Sequence, residues 1–288
     1  MDDLATRFEE QRPRLRAVAY RMLGSLDEAE DAVQEAWLRL SGAAYSEVDD
    51  LGAWLTTVVA RISLNMLRSR KTRSETHVPD PIVDSAEGAS PEHAALLANT
   101  VGLALLVVLE TLGPAERVAF VLHDIFAMPF EQIAPIVERT PEAARQLASR
   151  ARRRVQGSPA LSESEVVQQR ATVAAFLAAV RGGDLDALVA VLDPDLVVRV
   201  DATAAPPAGE EIRGASTWAR RAVHFTRALG ATSVQPALVD GQVGLLLAPG
   251  GHLQRVLRFA IARGKITAIE IVADPARLVA VELGVLGE

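Results

Sequence analysis

The sequence predicts two α-helical domains followed by a C-terminal α+β domain. Up to residue 157, apolar side chains recur at helical spacing. From residue 163 the chain continues with two helical segments and then changes to short apolar runs such as VGLLLAP, QRVLRFAIA and KITAIEIVA. Gly-containing turns, PGGH and RGK, separate these runs, which is typical of hairpins. We therefore expect the last domain to pack helices on a curved antiparallel sheet.

Two breaks in composition divide the chain. Residues 76–92 carry four acidic side chains and no Lys or Arg, and they are rich in Pro, Ser and Gly, which is typical of a linker. The second break is the segment QGSPALSES, where Gly157 can end a helix and Pro159 follows it. We predict domains at 1–75, 93–157 and 163–288, with an acidic Pro-containing linker at 76–92.

The composition excludes several classes of protein. The 288 residues include no cysteine, which excludes disulfides, iron–sulfur clusters and thiolate zinc sites. The five histidines are not at metal-ligand spacing, so we expect neither a metal nor a cofactor. The charged N-terminal segment does not have the pattern of a secretory signal. The longest apolar run, at 103–109, is far shorter than the roughly 20 residues that span a bilayer. We expect a soluble, cytoplasmic protein.

The first helical block combines an acidic helix with a cationic one. In SLDEAEDAVQEAWLRL, Ser25 can cap the helix and Glu28 stands at the spacing of a capping box. Apolar residues occupy one face of this helix and Asp31, Gln34 and Glu35 another. The next helix is AWLTTVVARISLNMLRSRKTR, whose first half carries mainly apolar side chains and whose second half carries Arg and Lys.

The second helical block ends in a helix-turn-helix pattern. A short helix, PFEQIAPIV, is followed by a tight turn and then by TPEAARQLASRARRRV, which holds five arginines in a chain of net charge −7. Arg and Gln can bind base edges in a bidentate way, and later arginines suit phosphates. The alternative is a solvated helix whose arginines stabilise the helix dipole. We predict duplex DNA binding by a face that comprises Arg145, Gln146, Ser149, Arg150 and Arg153.

Three blocks in the first 157 residues together resemble an extracytoplasmic-function (ECF) sigma factor of bacterial RNA polymerase. They are YRMLGSLDEAEDAVQEAWLRL, AWLTTVVARISLNMLRSR and LGPAERVAFVLHDIFAMPFEQIAPIVERTPEAARQLASRARRRV. The resemblance implies that 1–75 is sigma domain two and 93–157 sigma domain four. It also implies promoter-specific transcription initiation, with the RNA polymerase core and promoter DNA as partners.

The resemblance assigns roles to individual residues. The coiled coil of the β′ subunit would contact Asp31, Gln34, Glu35 and Leu38, and the β flap would contact domain four. The minus-ten strand would be held by Arg61, Asn65, Arg68, Arg70 and Arg73, since single-strand capture needs cations and a base pocket. Arg61 could instead be a structural ion-pair partner. The helix-turn-helix would bind the minus-35 duplex.

The C-terminal segment, from residue 163 on, resembles the SnoaL-like fold, which is a cone of helices against a curved sheet. The resemblance lies in FLAAVRGGDLDALVAVLDPDLVVRVD and in the strand-rich segment after it. The combination is similar to the SigJ-like subgroup of ECF sigma factors. By that resemblance, interdomain regulation would involve Pro79, Asp80 and Pro81 of the linker, Asp201, and Asp274, Pro275 and Leu278 of the DPARL segment. A small ligand bound in the cone could control this interdomain regulation, but the sequence does not identify one.

Other functions remain as alternatives. SnoaL-like folds also host enzymes that use a pocket Asp or His, for which Asp201, His224 and Asp240 are the candidates. Fold likeness alone does not transfer catalysis, so we expect no enzyme. A helix-turn-helix regulator that acts without polymerase, or a SnoaL-like small-molecule enzyme fused to a DNA-binding module, would explain fewer of the motifs.

Overall fold

The structure is a computed structural model, which describes residues 2–42, 50–76, 100–201, 203, 211–229, 234–249 and 252–286. Its contacts divide the chain into two compact units. The first comprises residues 1–87 and 109–153, and the second comprises residues 88–108 and 154–288. Within the described part of the chain, no helix is both long and apolar enough to cross a membrane.

The first unit is helical. Its elements in chain order are α1 (Asp2–Leu23), α2 (Leu26–Gly42), α3 (Leu51–Thr76), α5 (Pro114–Phe120), a π-helical turn (Val121–Ile125), α6 (Phe130–Val137) and most of α7 (Pro141–Gln156). Helix α4 (Thr100–Glu110) precedes α5 and lies mostly in the second unit.

The junction between α1 and α2 follows the sequence signals only in part. Gly24 has a left-handed φ of 79°, which a glycine adopts without strain, and α1 ends there. The Glu28 N–H donates to Ser25 Oγ at 3.4 Å, as a cap requires. The Glu28 carboxylate pairs with Arg70 of α3, so this side chain connects two helices.

The second unit continues with α8 (Glu163–Gly182), α9 (Leu185–Val191) and a seven-stranded sheet. Its strands are β1 (Leu192–Val200), β2 (Glu211–Arg213), β3 (Val234–Val239), β4 (Gln242–Leu247), β5 (Arg255–Ala262), β6 (Lys265–Val272) and β7 (Leu283–Gly284), in the order β2-β1-β6-β5-β4-β3-β7. Helix α10 (Ala215–Leu229) follows β2, and the one-turn helix α11 (Pro275–Val279) follows β6.

The predicted helices on a curved sheet are confirmed, with one difference in strand direction. All neighbouring strands are antiparallel except β1 and β6, which run parallel. The hairpins β3–β4 and β5–β6 turn at Asp240–Gly241 and Arg263–Gly264, whose φ angles are all positive. Two consecutive left-handed residues match the twist of the strands, which explains the glycine in each pair.

Helices α8, α9 and α10 cover the sheet and close the core. Phe176 of α8 meets Phe259 of β5 edge to face, with ring centroids 5.3 Å apart. Trp218 of α10 is also buried in this cluster. The sequence analysis did not predict α10, although its buried Trp218, Ala219, Ala222 and Val223 follow a helical period.

Candidate nucleic-acid and polymerase interface

Helix α7 has one buried side and one cationic side. Ala144, Ala148 and Ala151 are fully buried and line the helix at a spacing of three and four residues. Thr140 caps its first turn, because the Ala143 N–H donates to Thr140 Oγ1 at 3.3 Å. Since a turn takes 3.6 residues, the opposite side carries the polar groups. The small alanines let α7 lie close against its own domain while the long side chains project away.

Arg145 is held over an aromatic stack at the start of α6. Its guanidinium carbon lies 5.2 Å from the centre of the Phe130 ring, within the range of a cation–π contact. Phe130 in turn stacks on His123, with centroids 3.9 Å apart. His123 Nδ1 lies 3.1 Å from the Met128 carbonyl oxygen. The stack restricts the exposed Arg145 side chain to one region of the surface.

The predicted minus-35 residues differ in their surroundings. Gln146 and Arg153 are exposed and lie two turns apart, and Ser149 is half-buried between them. Arg150 is exposed, but its Nε donates to the Glu116 carboxylate of α5 at 3.1 Å. Arg150 therefore also fastens α7 to its own domain.

Arg152 has a similar structural role. Its Nε donates to Asp124 of the π-helical turn at 2.6 Å. The two ion pairs, Arg150–Glu116 and Arg152–Asp124, anchor one edge of α7 to its own domain. Gln146 takes part in neither pair. The sequence analysis did not identify Glu116, Asp124 or Phe130, because only the fold brings them to α7.

The predicted minus-ten residues lie along α3. Arg61 and Asn65 are exposed and one turn apart. Arg61 Nη2 donates to the Pro135 carbonyl of α6 at 3.5 Å, and Arg68 pairs with Glu138 at 3.2 Å. These contacts connect α3 to the turn of the helix-turn-helix within the first unit.

Arg70 and Arg73 stand apart from the other three. Both terminal nitrogens of Arg70 donate to the Leu23 carbonyl, at 3.2 and 3.3 Å, and Nη2 also pairs with Glu28. Arg70 thus satisfies the C-terminal end of α1, where carbonyl groups lack helical partners. Arg73 lies near the end of α3, and its side chain is outside the described part of the structure.

The acidic helix α2 presents the face that the sequence predicts. Asp31, Gln34 and Leu38 are exposed, and the Leu38 side chain, at 57% exposure, is unusual for a large apolar residue. Glu35 lies between them and accepts a hydrogen bond from Arg39 at 2.9 Å. The opposite face is fully buried, with Ala29, Val33 and Leu40 among its residues. An exposed apolar group on the same helix face as two acidic side chains suits a basic partner surface.

In the second unit, Asp201 is a structural anchor. It accepts hydrogen bonds from the N–H groups of Ala273 and Asp274, at 2.8 and 2.9 Å, and from the N–H and hydroxyl of Thr203. Burial would raise its pKa, but these donors outweigh burial and lower the pKa to about 2. A carboxylate of such low basicity is a poor general base, which argues against the catalytic role considered for it.

The other candidate residues of this unit are near the same corner or at a turn. Asp274 caps α11 by accepting from the Arg277 N–H at 3.0 Å, and Pro275 and Leu278 follow it in that helix. Asp240 lies in the β3–β4 turn and pairs with Arg258 at 2.7 Å. His224 is an exposed residue of α10. Pro79, Asp80 and Pro81 lie outside the described residues.

Both helical regions of the chain match known protein families. The family Sigma-70 region 2 matches residues 7–73, and Sigma-70, region 4 matches residues 102–155. The chain is 38% identical to the ECF RNA polymerase sigma factor SigJ of Mycobacterium tuberculosis over 284 residues, 93% of this chain and 91% of SigJ. The chain belongs to the ECF RNA polymerase sigma factors.

Two further similarities extend over nearly the whole of this ECF sigma factor. It is 38% identical to a probable ECF RNA polymerase sigma factor, SigI of Mycobacterium tuberculosis, over 96% of this chain and 95% of SigI. The crystal structure of Mycobacterium tuberculosis SigJ covers 95% of this chain and 98% of its own, at 35% identity and a TM-score of 0.47. The two family matches and the 38% identity to SigJ confirm the family predicted from the three sequence blocks.

The sequence analysis of this ECF sigma factor missed two residues that connect its two sigma regions. Glu138 has a left-handed φ of 57° and ends α6, a position at which a glycine or asparagine is expected. Arg117 of the second region is only 3% exposed, and Glu28 and Arg70 of the first region act electrostatically on its guanidinium. In α5, Arg117 directly precedes the buried Val118, so a charged side chain interrupts the apolar face of the helix. This interruption was the sequence signal that could have identified Arg117.

Proposed function

We propose that this ECF sigma factor binds the RNA polymerase core and directs initiation at promoters through separate surfaces for polymerase, single strand and duplex. The exposed acidic and apolar face of α2 supports the first role. The cations of α3 support the second, and those of α7 support the third. The observation that carries the proposal is α7: its alanine side is fully buried, and Arg145, Gln146 and Arg153 are exposed.

On α2, the polymerase contact would be made by Asp31, Gln34, Glu35 and Leu38. The β′ coiled coil is the partner proposed for this face, and the β flap is the partner proposed for the second sigma region. Charge complementarity would speed association, and the buried apolar contact would supply affinity.

On α7, Gln146 and Arg153 would meet the minus-35 duplex, with Arg145 beside them. Ser149 lies on the same side, and Arg150 could contact a phosphate with the terminal nitrogens that its Glu116 bond does not use. On α3, Arg61, Asn65 and Arg68 would hold the minus-ten strand. The structural roles of Arg70 make it a weaker candidate.

Run-off transcription with core polymerase and a random promoter library tests the proposal. We expect initiation at a defined promoter class, and a loss of it in Arg145→Ala and Gln146→Ala. Arg220→Ala, which removes an exposed arginine of α10, is the matched control and should initiate normally. A protein that does not co-purify with core polymerase, or initiates equally well without Arg145 and Gln146, contradicts the proposal.

We further propose that the C-terminal domain modulates initiation in cis. The support is a direct attachment to the end of α7: the Val285 N–H donates to the Val155 carbonyl at 2.7 Å. Next to it, Gly157 packs against Gly284. Because α7 is continuous to Gln156, a displacement of strand β7 would act on the last turn of that helix. Truncation after residue 160 should change promoter activity, and unchanged activity would remove this part of the proposal.

A further inference from the structure

Two aromatic side chains that precede α7 in the chain restrict the position of Arg145 on that helix. The Arg145 guanidinium carbon lies 5.2 Å from the centre of the Phe130 ring. Phe130 stacks on His123, with ring centroids 3.9 Å apart and planes inclined by 29°. We infer that these two rings, the aromatic platform, are positioning residues that hold Arg145 for bidentate recognition of a guanine in the minus-35 duplex. The inference rests on the proposed function of α7 and assigns a base preference to one of its residues.

The chain between the two rings builds the aromatic platform. Ala127 has a left-handed φ of 55°, and its N–H donates to the His123 carbonyl at 3.0 Å, so the chain reverses direction after the π-helical turn. His123 Nδ1 lies 3.1 Å from the Met128 carbonyl oxygen. Phe130 is the first residue of α6 and is only 9% exposed. Because contacts within this one segment hold both rings, the platform is present before DNA binds.

The aromatic platform holds Arg145 in a different way from the ion pairs that hold other arginines of α7. In Arg150 and Arg152, Nε donates to a carboxylate of the same domain. An aromatic ring attracts a guanidinium through its π face, so the N–H donors at the guanidinium edge stay available. Recognition of guanine O6 and N7 requires two such donors in one plane. Arg145 is therefore better suited to a base than the two ion-paired arginines.

The position of Arg145 along the helix agrees with this role. It lies in the first half of α7, and its side chain is exposed. In helix-turn-helix proteins, the residues near the N-terminal end of the recognition helix contact base edges. A free arginine side chain loses conformational entropy when it binds a base, and stacking on a ring reduces this loss because the guanidinium is already oriented. The platform should therefore strengthen the preference for one base rather than the attraction to DNA in general.

A library of promoters of random sequence, each followed by its own barcode, tests the inference. The full chain transcribes the library together with core polymerase, and sequencing of the transcripts gives the base preference at each promoter position. Arg145→Ala identifies the position that Arg145 reads, because guanine should lose an advantage of about tenfold there. Phe130→Leu should reduce the same advantage by up to about fivefold and leave the preferences at other positions unchanged.

Three further variants control for changes in folding. Phe130→Tyr keeps an aromatic face and should retain the preference of the parent protein. Phe126→Leu is the matched control, because the Arg21 guanidinium carbon lies 5.6 Å from the centre of the Phe126 ring, and it should change the base preference at no position. A thermal melt establishes that each variant is folded. If Phe130→Leu does not fold, His123→Leu, at a half-buried position, removes the ring on which Phe130 stacks and should reduce the same preference.

The pattern of base preferences separates positioning from a purely structural role. If Phe130 only stabilises the domain, its replacement should lower transcription from all promoters by a common factor, and that result in a folded variant overturns the inference. Guanine preference retained in Phe130→Leu at the position where Arg145→Ala loses it also overturns the inference. If Arg145→Ala changes no position, the inference fails as well, whereas loss of initiation in Gln146→Ala would still support duplex binding by α7.

Discussion

Asp201 and Ala273 join the ends of the parallel strands β1 and β6, through a 2.8 Å hydrogen bond from the Ala273 N–H to Asp201 Oδ2. The same oxygen accepts from the Asp274 N–H, and Arg277 lies 3.7 Å away. One carboxylate therefore holds together the last residues of β1, the last residues of β6 and the start of α11.

The first prediction concerns the stability of this corner. Asp201→Asn removes the charge that accepts these hydrogen bonds, and it should lower the free energy of unfolding by about 2 kcal/mol at neutral pH. Thermal melting measures the change. Asp195→Asn, at an exposed position of β1, is the control and should have little effect. A stability equal to that of the parent protein would show that Asp201 does not anchor the corner.

The second prediction follows from the low pKa of Asp201. Its folded-state pKa of about 2 lies below the reference value of 3.8, so its stabilisation is fully present above the unfolded-state pKa. As the pH falls from about 3.8 to about 2, both states take up the proton and the stabilisation is lost. The difference in melting temperature between the parent protein and Asp201→Asn should shrink over this interval. A difference that stays constant down to pH 2 would contradict the assignment.

The helical blocks were predictable because each carries its own local signals. The Thr140 cap, the Pro141 start and the Gly157 stop of α7 all depend on residues within one segment. The short apolar runs separated by Gly-containing turns likewise located β4, β5 and β6. Signals of this kind depend only on neighbouring residues, so they can be identified from the sequence alone.

The remaining features depend on pairs that are distant in sequence. Glu138 and Arg68 are separated by 70 positions, and nothing in either segment points to the other. The parallel pairing of β1 and β6 was missed for the same reason, because a run of apolar residues does not specify its neighbour or direction. Arg70 was assigned to DNA from the family resemblance and its charge, whereas its guanidinium also donates to the Leu23 carbonyl.

The third prediction tests the tail strand β7. A Cβ atom on Gly284 would lie 2.7 Å from Gly157 Cα and 2.9 Å from Gly157 N, which real contacts do not tolerate. Gly284→Ala should therefore displace β7 from the end of α7, raise amide exchange at Val285 and change promoter activity. Gly182→Ala is the control, since its Cβ would meet nothing within 4 Å, and it should stabilise α8 by up to about 1 kcal/mol. Unchanged amide exchange at Val285 in Gly284→Ala would contradict the attachment of β7 to the end of α7.

The fourth prediction concerns the polymerase face. Leu38 is 57% exposed, so Leu38→Ala removes little buried surface and should change the free energy of unfolding by less than about 0.5 kcal/mol. If Leu38 fills a pocket on the core enzyme, the same change should weaken binding to core polymerase by about tenfold, measured by fluorescence anisotropy. Val279→Ala, which truncates a side chain of 88% exposure on α11, is the matched control and should bind normally. Equal affinity of the two variants for core polymerase would contradict a contact at Leu38. A loss of affinity in Leu38→Ala alone, at unchanged stability, requires that the α2 face contacts the enzyme directly.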